Sequence, residues 1–510
     1  MALRNSNIIV ATGIKTDRDY INVINTTESY MLSVMRSSQY FVAESSTYSF
    51  IRDTGSIQVN FTYAQCLQSN YVAFQNPDYS NKWIFGWIDQ VLYVDDGNTQ
   101  IYYTVDYWTT WWTYFYFQPV LVEREHVNDD SFGLHLLPEP VNADIVQPMY
   151  TRSITFDTYN IILHSMHSNV TPSNINNRYV DFADSTVYLP AEATNALAGI
   201  ESDVNAGNLI AVTLFPADYT GITTTSRLAQ PVSNNFVVSA PSSLNGYIPV
   251  NNKLFTYPYS YISVDDCSKQ ILLRYENFPD SGRTNGYTFT VRGYANPVNE
   301  MSIYPNWYDG LEINPFYSLS IKDFPMLPVK VDAYSAWLAQ KSNSALLSGF
   351  THALSAGVSG GMSGGGAGAA AGAGMGILGG ISNYMMGEQA AKDAPDSIRG
   401  GDSSSITNII YGHKGFYIKQ VALKSDKAQS IDNFFSKYGY SQNIVKTPNI
   451  TGRTYWNYVK VNGTAGYGNM PEDARNRINK MLNDGITIWH NHTYLGNYLI
   501  GGSKMENPIV

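Results

Sequence analysis

Along the first 125 residues, apolar and polar positions alternate in short runs, the period of half-buried strands. "SIQVNFTYAQ" (Ser56–Gln65) is one such run. "WIFGWIDQVLYVDDGNTQIYYTVDYW" (Trp83–Trp108) is two more, broken at Asp96-Gly97-Asn98, which predicts a hairpin. From 150 to 325 the pattern is less regular, and Asn, Ser, Thr, Pro and Gly recur every few residues. Short strands joined by long loops are expected there, with one short helix at Leu189–Val204. Helical spacing returns at Asp332–Leu347, where an N-cap Asp precedes Tyr334, Trp337 and Leu338 on one face. Lys392–Ser405 reads as a polar loop and "GFYIKQVAL" (Gly415–Leu423), within 407–424, as strand. Ser425–Tyr440 puts Ala428, Ile431, Phe435 and Tyr438 on one helix face, with Gly439 suited to C′. Pro471–Gly485 predicts a last helix, buried through Ile478, Met481 and Leu482.

One span fits neither period. From Ser342 to Gly387 there is no Lys, Arg, Asp or Glu, and fourteen of the chain's forty glycines lie there. Two apolar arms flank a Gly/Ala-rich turn. The first carries Leu346, Leu347, Phe350, Leu354 and Val358, and the second Met375, Ile377, Leu378, Ile381, Tyr384 and Met385. Gly357, Gly361 and Gly365 recur every fourth residue, as do Gly368, Gly372, Gly376 and Gly380, a spacing that lets helices approach closely in lipid. In water each interior Gly costs a helix about 1 kcal/mol relative to Ala. In hydrocarbon an unpaired backbone group costs several kcal/mol, and helix becomes the favourable state. Each arm, at roughly 20 residues, is long enough for a bilayer core. A flexible linker leaves the large apolar residues unexplained. A permanent transmembrane hairpin lacks basic anchors at its flanks. The reading preferred is a conditional membrane inserter, sheltered within an oligomer until triggered.

Composition narrows the class. The 510 residues are 44% hydrophobic and 15% charged, with 39 tyrosines, a balance that favours strands. A net charge of −10 argues against a clamp on nucleic-acid phosphates but is compatible with DNA passing through a non-adhesive channel. Cys66 and Cys267 are read as free thiols, and the N-terminus lacks the apolar core of a signal peptide. The dense cluster Trp108, Trp111, Trp112, Tyr114, Phe115, Tyr116 and Phe117 is expected in a core or subunit interface, since a base-stacking platform would want interleaved Arg or Lys.

Candidate chemistry is sparse. Glu123, Glu125, His126, Asp129, Asp130 and His135 gather metal-ligating residue types in no metal-site spacing, so a hydrogen-bonded strand-to-loop corner is expected. His164–His167 and Trp489–His492 carry isolated His pairs, read as structural. No G-x-S-x-G, H-E-x-x-H or Walker A pattern occurs, and no catalytic residue, metal or cofactor is assigned.

Several stretches, taken in order, carry a resemblance. They are Phe74–Ile88, Val120–Val127, Tyr257–Val264, the glycine-rich span, Asn433–Gly463 ("NFFSKYGYSQNIVKTPNITGRTYWNYVKVNG") and Asp484–His490. Together they resemble the tail knob, or distal tail tube, proteins of small protein-primed podoviruses that infect Gram-positive bacteria. The resemblance implies a homo-hexameric, β-rich tube at the distal end of the virion tail, joined to other tail and collar proteins. Double-stranded genomic DNA would pass through it without sequence-specific binding. It also implies apolar loops that plug the channel and then enter the host cytoplasmic membrane, which carries over to Ser344–Gly387. The expected fold is mainly β with α elements (α+β): a tube domain from 1–150 and 406–510, an inserted outer domain at 151–330, and a helix plus membrane-active loop at 331–405. The alternatives are an adhesin binding cell-wall glycan through 151–330 and, with less support, a wall hydrolase.

Overall fold

A computed structural model describes residues 2–4, 6–51, 54–77, 80–144, 146–156, 159–165, 184–188, 209–219, 226–227, 232–266, 268–294, 300–322, 324, 329–331, 397–399, 415–500, 502 and 504–510. The chain forms two compact units. The first is Met1–Gln147, Ser242–Ser260 and Ala422–Val510; the second is Pro148–Pro241 and Tyr261–Val421. Both are built mostly of strands with a few helices. The expected helices at 189–204 and 332–347 lie outside the described residues.

In the first unit an eight-stranded sheet runs in the order Ala2–Arg4, Tyr48–Ile51, Ser56–Val59, Asn98–Val105, Lys82–Asp95, Tyr71–Asn76, Ile8–Ala11, Phe41–Ser45. Strand side chains alternate between faces, and here both faces find a core. Ile9, Ala11, Tyr71, Ala73, Phe85 and Trp87 enter one apolar cluster. Ile8, Val10, Val72, Phe74 and Ile88 enter another, with Phe61 and Cys66. The first cluster also takes in Val122, Val459, Val461, Ile486 and Ile488 from a five-stranded sheet. That sheet is ordered Tyr440–Lys446, Val120–Glu125, Trp456–Asn462, Ile486–Trp489, Asn22–Ile24.

The predicted hairpin is present: Lys82–Asp95 pairs with Asn98–Val105, and Asp95 Oδ1 holds the turn by accepting from Gly97 N and Asn98 Nδ2, both at 2.9 Å. The two C-terminal helices are Ser425–Tyr438, burying Ala428, Ile431 and Phe435, and Glu472–Asp484, burying Ile478, Met481 and Leu482. Tyr438 is only half-buried.

Three short helices depart from the all-strand reading of the first 125 residues. Glu28–Met35 is capped by Thr27. Tyr63–Cys66 cuts the expected Ser56–Gln65 strand at Val59, because Thr62 and Gln65 form a capping box. Tyr107–Trp111 is capped by Asp106, whose Oδ1 accepts from Thr109 N at 3.1 Å. The tryptophans there are core, as expected: Trp108 stacks on Trp112 at 4.0 Å between centroids, and both are buried.

The second unit contains the expected short strands. One sheet is Val232–Val238, Tyr287–Tyr294, Glu300–Pro305, Leu319–Ile321; another is Leu209–Pro216, Tyr159–Ser165, Asp184–Tyr188, Ser226–Arg227. A third joins Val146–Thr155, Gly415–Leu423, Ser260–Asp265 and Gln270–Leu273. Among the described residues no helix is long and apolar enough to cross a membrane.

Gly439 ends its helix at φ +68°, and a Cβ there would fall onto the Glu125 carbonyl. Gly246, at φ +90°, has open space around the same position. Gly246→Ala is expected to cost about 1 kcal/mol, the conformational term alone. Gly439→Ala adds a backbone clash and is expected to cost about 3 kcal/mol or more. Urea midpoints of the two variants check the difference.

Candidate functional site

The apolar residues of the glycine-rich span, Leu346, Leu347, Phe350, Leu354, Val358, Met375, Ile377, Leu378, Ile381, Tyr384 and Met385, lie outside the described residues. Its root does not. Val329–Val331 pairs antiparallel with Ser397–Arg399, in the register Val329↔Arg399, Lys330↔Ile398, Val331↔Ser397. The stretch 332–396, which contains the span, is therefore bracketed in sequence by two paired strands. The polar stretch 392–405, read from sequence as loop, thus contains a strand. Three residues are too few to carry a period-2 signal.

The Glu123–His135 stretch is a hydrogen-bonded corner of the first unit. Tyr458 N donates to His126 Nδ1 at 2.8 Å, so the ring proton sits on Nε2, which donates to Ser436 O at 3.0 Å. Both ring nitrogens are thereby occupied. Burial is the main reason His126 is lowered to about 3, and the nearby Arg453 adds to it. Glu125 is buried against Lys446 and accepts from Asn449 N at 2.8 Å; burial raises its pKa and the lysine opposes this. Asp130 takes the Tyr440 hydroxyl and Asn252 N, and burial raises it too. His135 Nε2 lies 2.7 Å from Asp129 O, while Glu123 pairs with Lys460 at 2.9 Å. The side chains of the six residues thus face different partners, His135 bonding the backbone of Asp129. Among the described residues no three His, Cys, Asp or Glu side chains converge as a metal site.

The His490–His492 pair also diverges. His490 Nε2 meets Asn457 Oδ1 at 3.0 Å, and His492 Nδ1 meets the Tyr30 hydroxyl at 2.9 Å. His164 lies on Tyr159–Ser165, and His167 is outside the described residues, as is Cys267. Cys66 is a free, buried thiol that burial pushes up to about 11, unsuited to nucleophilic work.

Sequence reasoning missed a polar clasp beside this corner. The Ser242–Ser260 segment packs within the first unit and is held by Asp432, on the buried face of the Ser425–Tyr438 helix. Asp432 accepts from Tyr247 Oη (2.7 Å), Val250 N (2.7 Å), Asn251 N (3.0 Å) and Asn251 Nδ2 (2.8 Å). Glu139, equally buried, pairs with both Arg124 and Lys253 and accepts from Ser441 N at 3.0 Å. Burial pulls the Lys253 pKa down, and Glu139 counters this. The only local signal was an Asp next to Ile431 on an apolar helix face.

Comparison with known proteins converges on one kind. The family model for the C-terminal domain of the tail knob protein gp9 of Bacillus phage phi29 matches residues 223–507. A model for the caudoviral major tail protein N-terminus matches residues 4–116. Tail knob protein gp9 of Bacillus phage PZA is 23% identical, covering 98% of this chain and 98% of the relative. Its counterpart in Bacillus phage phi29 is 22% identical with the same coverage. Among solved structures, the bacteriophage C1 tail knob protein gp12 superposes with a TM-score of 0.65 at 12% identity, over 99% of this chain and 100% of that one.

Two tests follow from the corner and the clasp. Below about pH 6.5 the unfolded chain protonates His126 while the folded chain does not, so stability is full above that pH and falls as pH drops towards 3. The expected slope is about 1.4 kcal/mol per pH unit for this one group. Urea unfolding between pH 7.5 and 5 reads it against the His126→Gln variant, which cancels the opposite-sense contribution of the raised carboxylates Glu125 and Asp130 common to both proteins. His126→Gln should remove one proton's worth of slope. Asp432→Asn replaces an acceptor-only group with one that must also donate into a cluster of donors. It should cost about 3 kcal/mol and speed chymotrypsin cleavage within Ser242–Ser260.

Proposed function

The chain belongs to the family of the phage tail knob protein gp9, and from that premise we propose that six copies form a tube through which DNA leaves the virion and enters the host. It is a structural protein of the phage tail, located at the distal tail end and assembled there with other tail proteins, and it is not an enzyme. The finer assignment is that the uncharged span, 342–387, plugs the channel at rest and enters the host cytoplasmic membrane when the tail opens.

The observation that carries this reading is the antiparallel root of the span. A chain that departs from one strand and returns on its antiparallel neighbour suits a hairpin that enters and leaves a bilayer on the same side. With no Lys, Arg, Asp or Glu from 342 to 387 and His352 largely neutral near pH 7.5, insertion there desolvates no ion. The acidic balance of −10 per chain, multiplied in a hexamer, suits a lumen that repels phosphate rather than gripping it. Collar and tail components are the partners at the other end of such a tube. A second role, contact with host-wall glycan through 151–330, is favoured by the exposed Trp307 and Phe316 of that span.

Full-length protein is expected to release dye from liposomes on mild heating at pH 7.5, where His352 is largely neutral. Because the root strands are paired, replacing 342–387 with a short Gly-Ser linker should leave the melting temperature nearly unchanged and abolish release. Ile377→Lys places a charge within an arm and should weaken insertion by about 2.5–3.5 kcal/mol. Equal leakage from the linker variant would remove the membrane role and leave the tube.

A further inference from the structure

Residues 305–318 of the second unit form a narrow, self-bonded turn. Trp307 N donates to Glu312 O, Gly310 N to Trp307 O, Leu311 N to Tyr308 O and Asn314 N to Pro305 O, each at 3.2 Å. One side of the turn is fixed to the body of the unit. Tyr308, 1% exposed, packs its ring against Phe278 at 4.9 Å and Tyr317 at 4.7 Å. Arg274 N donates to its hydroxyl at 3.1 Å, and Asp309 N donates to Asn277 O at 2.9 Å. Buried Asn314 gives Nδ2 to Tyr308 O at 2.9 Å and accepts from Phe316 N at 3.1 Å.

The side chains left outward are large and apolar. Trp307 is 54% exposed, Phe316 85% and Leu311 43%. Trp307 and Asp309 hold φ at +59° and +52°, a conformation unfavourable to side-chain-bearing residues, and the anchoring of Tyr308 maintains it. A rigid backbone that spends strain to present an indole, with an exposed phenyl ring on the return arm, is organised for contact. The exposed carboxylates of Asp309 and Glu312 sit in the same turn.

We propose that this turn is a binding site for a neutral oligosaccharide of the cell wall. Aromatic faces pack on the C–H faces of pyranose rings, and carboxylates accept from sugar hydroxyls. The charge selects among occupants. Two carboxylates in the turn oppose burial in hydrocarbon and repel an anionic polymer or anionic lipid surface. The assignment rests on the wall-contact reading above and gives it an address; it is independent of the membrane role.

The test uses the full chain, tetra-N-acetylchitotetraose as the soluble probe, and insoluble peptidoglycan stripped of anionic polymers. Calorimetry of the parent should show saccharide binding, weakened about tenfold or more by Trp307→Ala and by Phe316→Ala. Trp307→Phe, which keeps an aromatic face, should stay within about threefold of the parent. Tyr93→Ala, which removes an exposed ring from the first unit, should change nothing. Melting temperatures confirm that the variants fold. If the parent binds and both alanine variants bind equally well, this site is wrong and wall contact lies elsewhere in the chain. If the parent binds neither probe, the wall-contact reading itself fails. If Trp307→Ala instead changes the sedimenting mass of the assembly, or abolishes binding to phosphatidylcholine vesicles, the turn is a subunit or lipid contact and the proposal is overturned.

Discussion

The first unit is sewn together from three separated stretches of chain, and the stitch is the Val120–Glu125 strand. It bonds Tyr440–Lys446 on one side and Trp456–Asn462 on the other. Arg124 reaches the Gly439 carbonyl across 315 residues of sequence. Closing so long a loop costs little more than closing a moderate one, since each doubling of length adds only about 0.6 kcal/mol. The stitch therefore frees the intervening chain to be long, provided the stitch itself holds. Buried carboxylates reinforce it: Glu125 on Lys446, Glu139 on Arg124 and Lys253, Asp432 on the Ser242–Ser260 segment. Such pairs add little net stability after desolvation, but losing one partner leaves a charge stranded in the interior. They act here as checks on register.

The same device recurs on a smaller scale. Within the long excursion of the second unit, Val329–Val331 and Ser397–Arg399 close a further excursion at its base. Each level hands the next a fixed point of departure and return. Residues that act on other molecules belong at the ends of such excursions, where change in the loop costs the scaffold least. The proposed wall site obeys the rule as well, standing on a turn bolted to its unit by Tyr308 and Asn314.

What could be read from the sequence was what is decided locally. Asp95 to Asn98 announces its own turn, and Gly439 and Gly485 end helices whose apolar faces repeat at helical spacing. The helix at Tyr107–Trp111 was hidden because its residues are Tyr, Trp and Thr, and that at Glu28–Met35 because eight residues give only about two turns of period; the caps that nucleate them are single side chains, Asp106 and Thr27. The clasp was invisible for a different reason. Asp432 and its donors lie 181 to 185 residues apart, and nothing in either segment names the other. The candidate metal ligands were visible as residue types, but whether His126 is a ligand or a strut depends on Tyr458 N and Ser436 O, both supplied by distant chain. The family resemblance reached further than these local signals, because it compares whole arrangements.

The distribution of charge ties these strands together. Only 15% of the chain is charged, and several of its carboxylates are committed inside the first unit as acceptors. A segment with such groups is pinned by them: to move, it must give up partnered ions in a poorly solvating interior. A segment with none has no such bond to break and no ion to carry into lipid. The span from 342 to 387, with no Lys, Arg, Asp or Glu, is of the second kind, and paired strands at 329–331 and 397–399 bracket it in sequence. Fixing the ends with backbone pairing while leaving the middle without charge separates two demands that one stretch of sequence could not meet alone. In the proposed membrane role the root would stay paired while the middle changed its surroundings, and the two properties together are what that role requires.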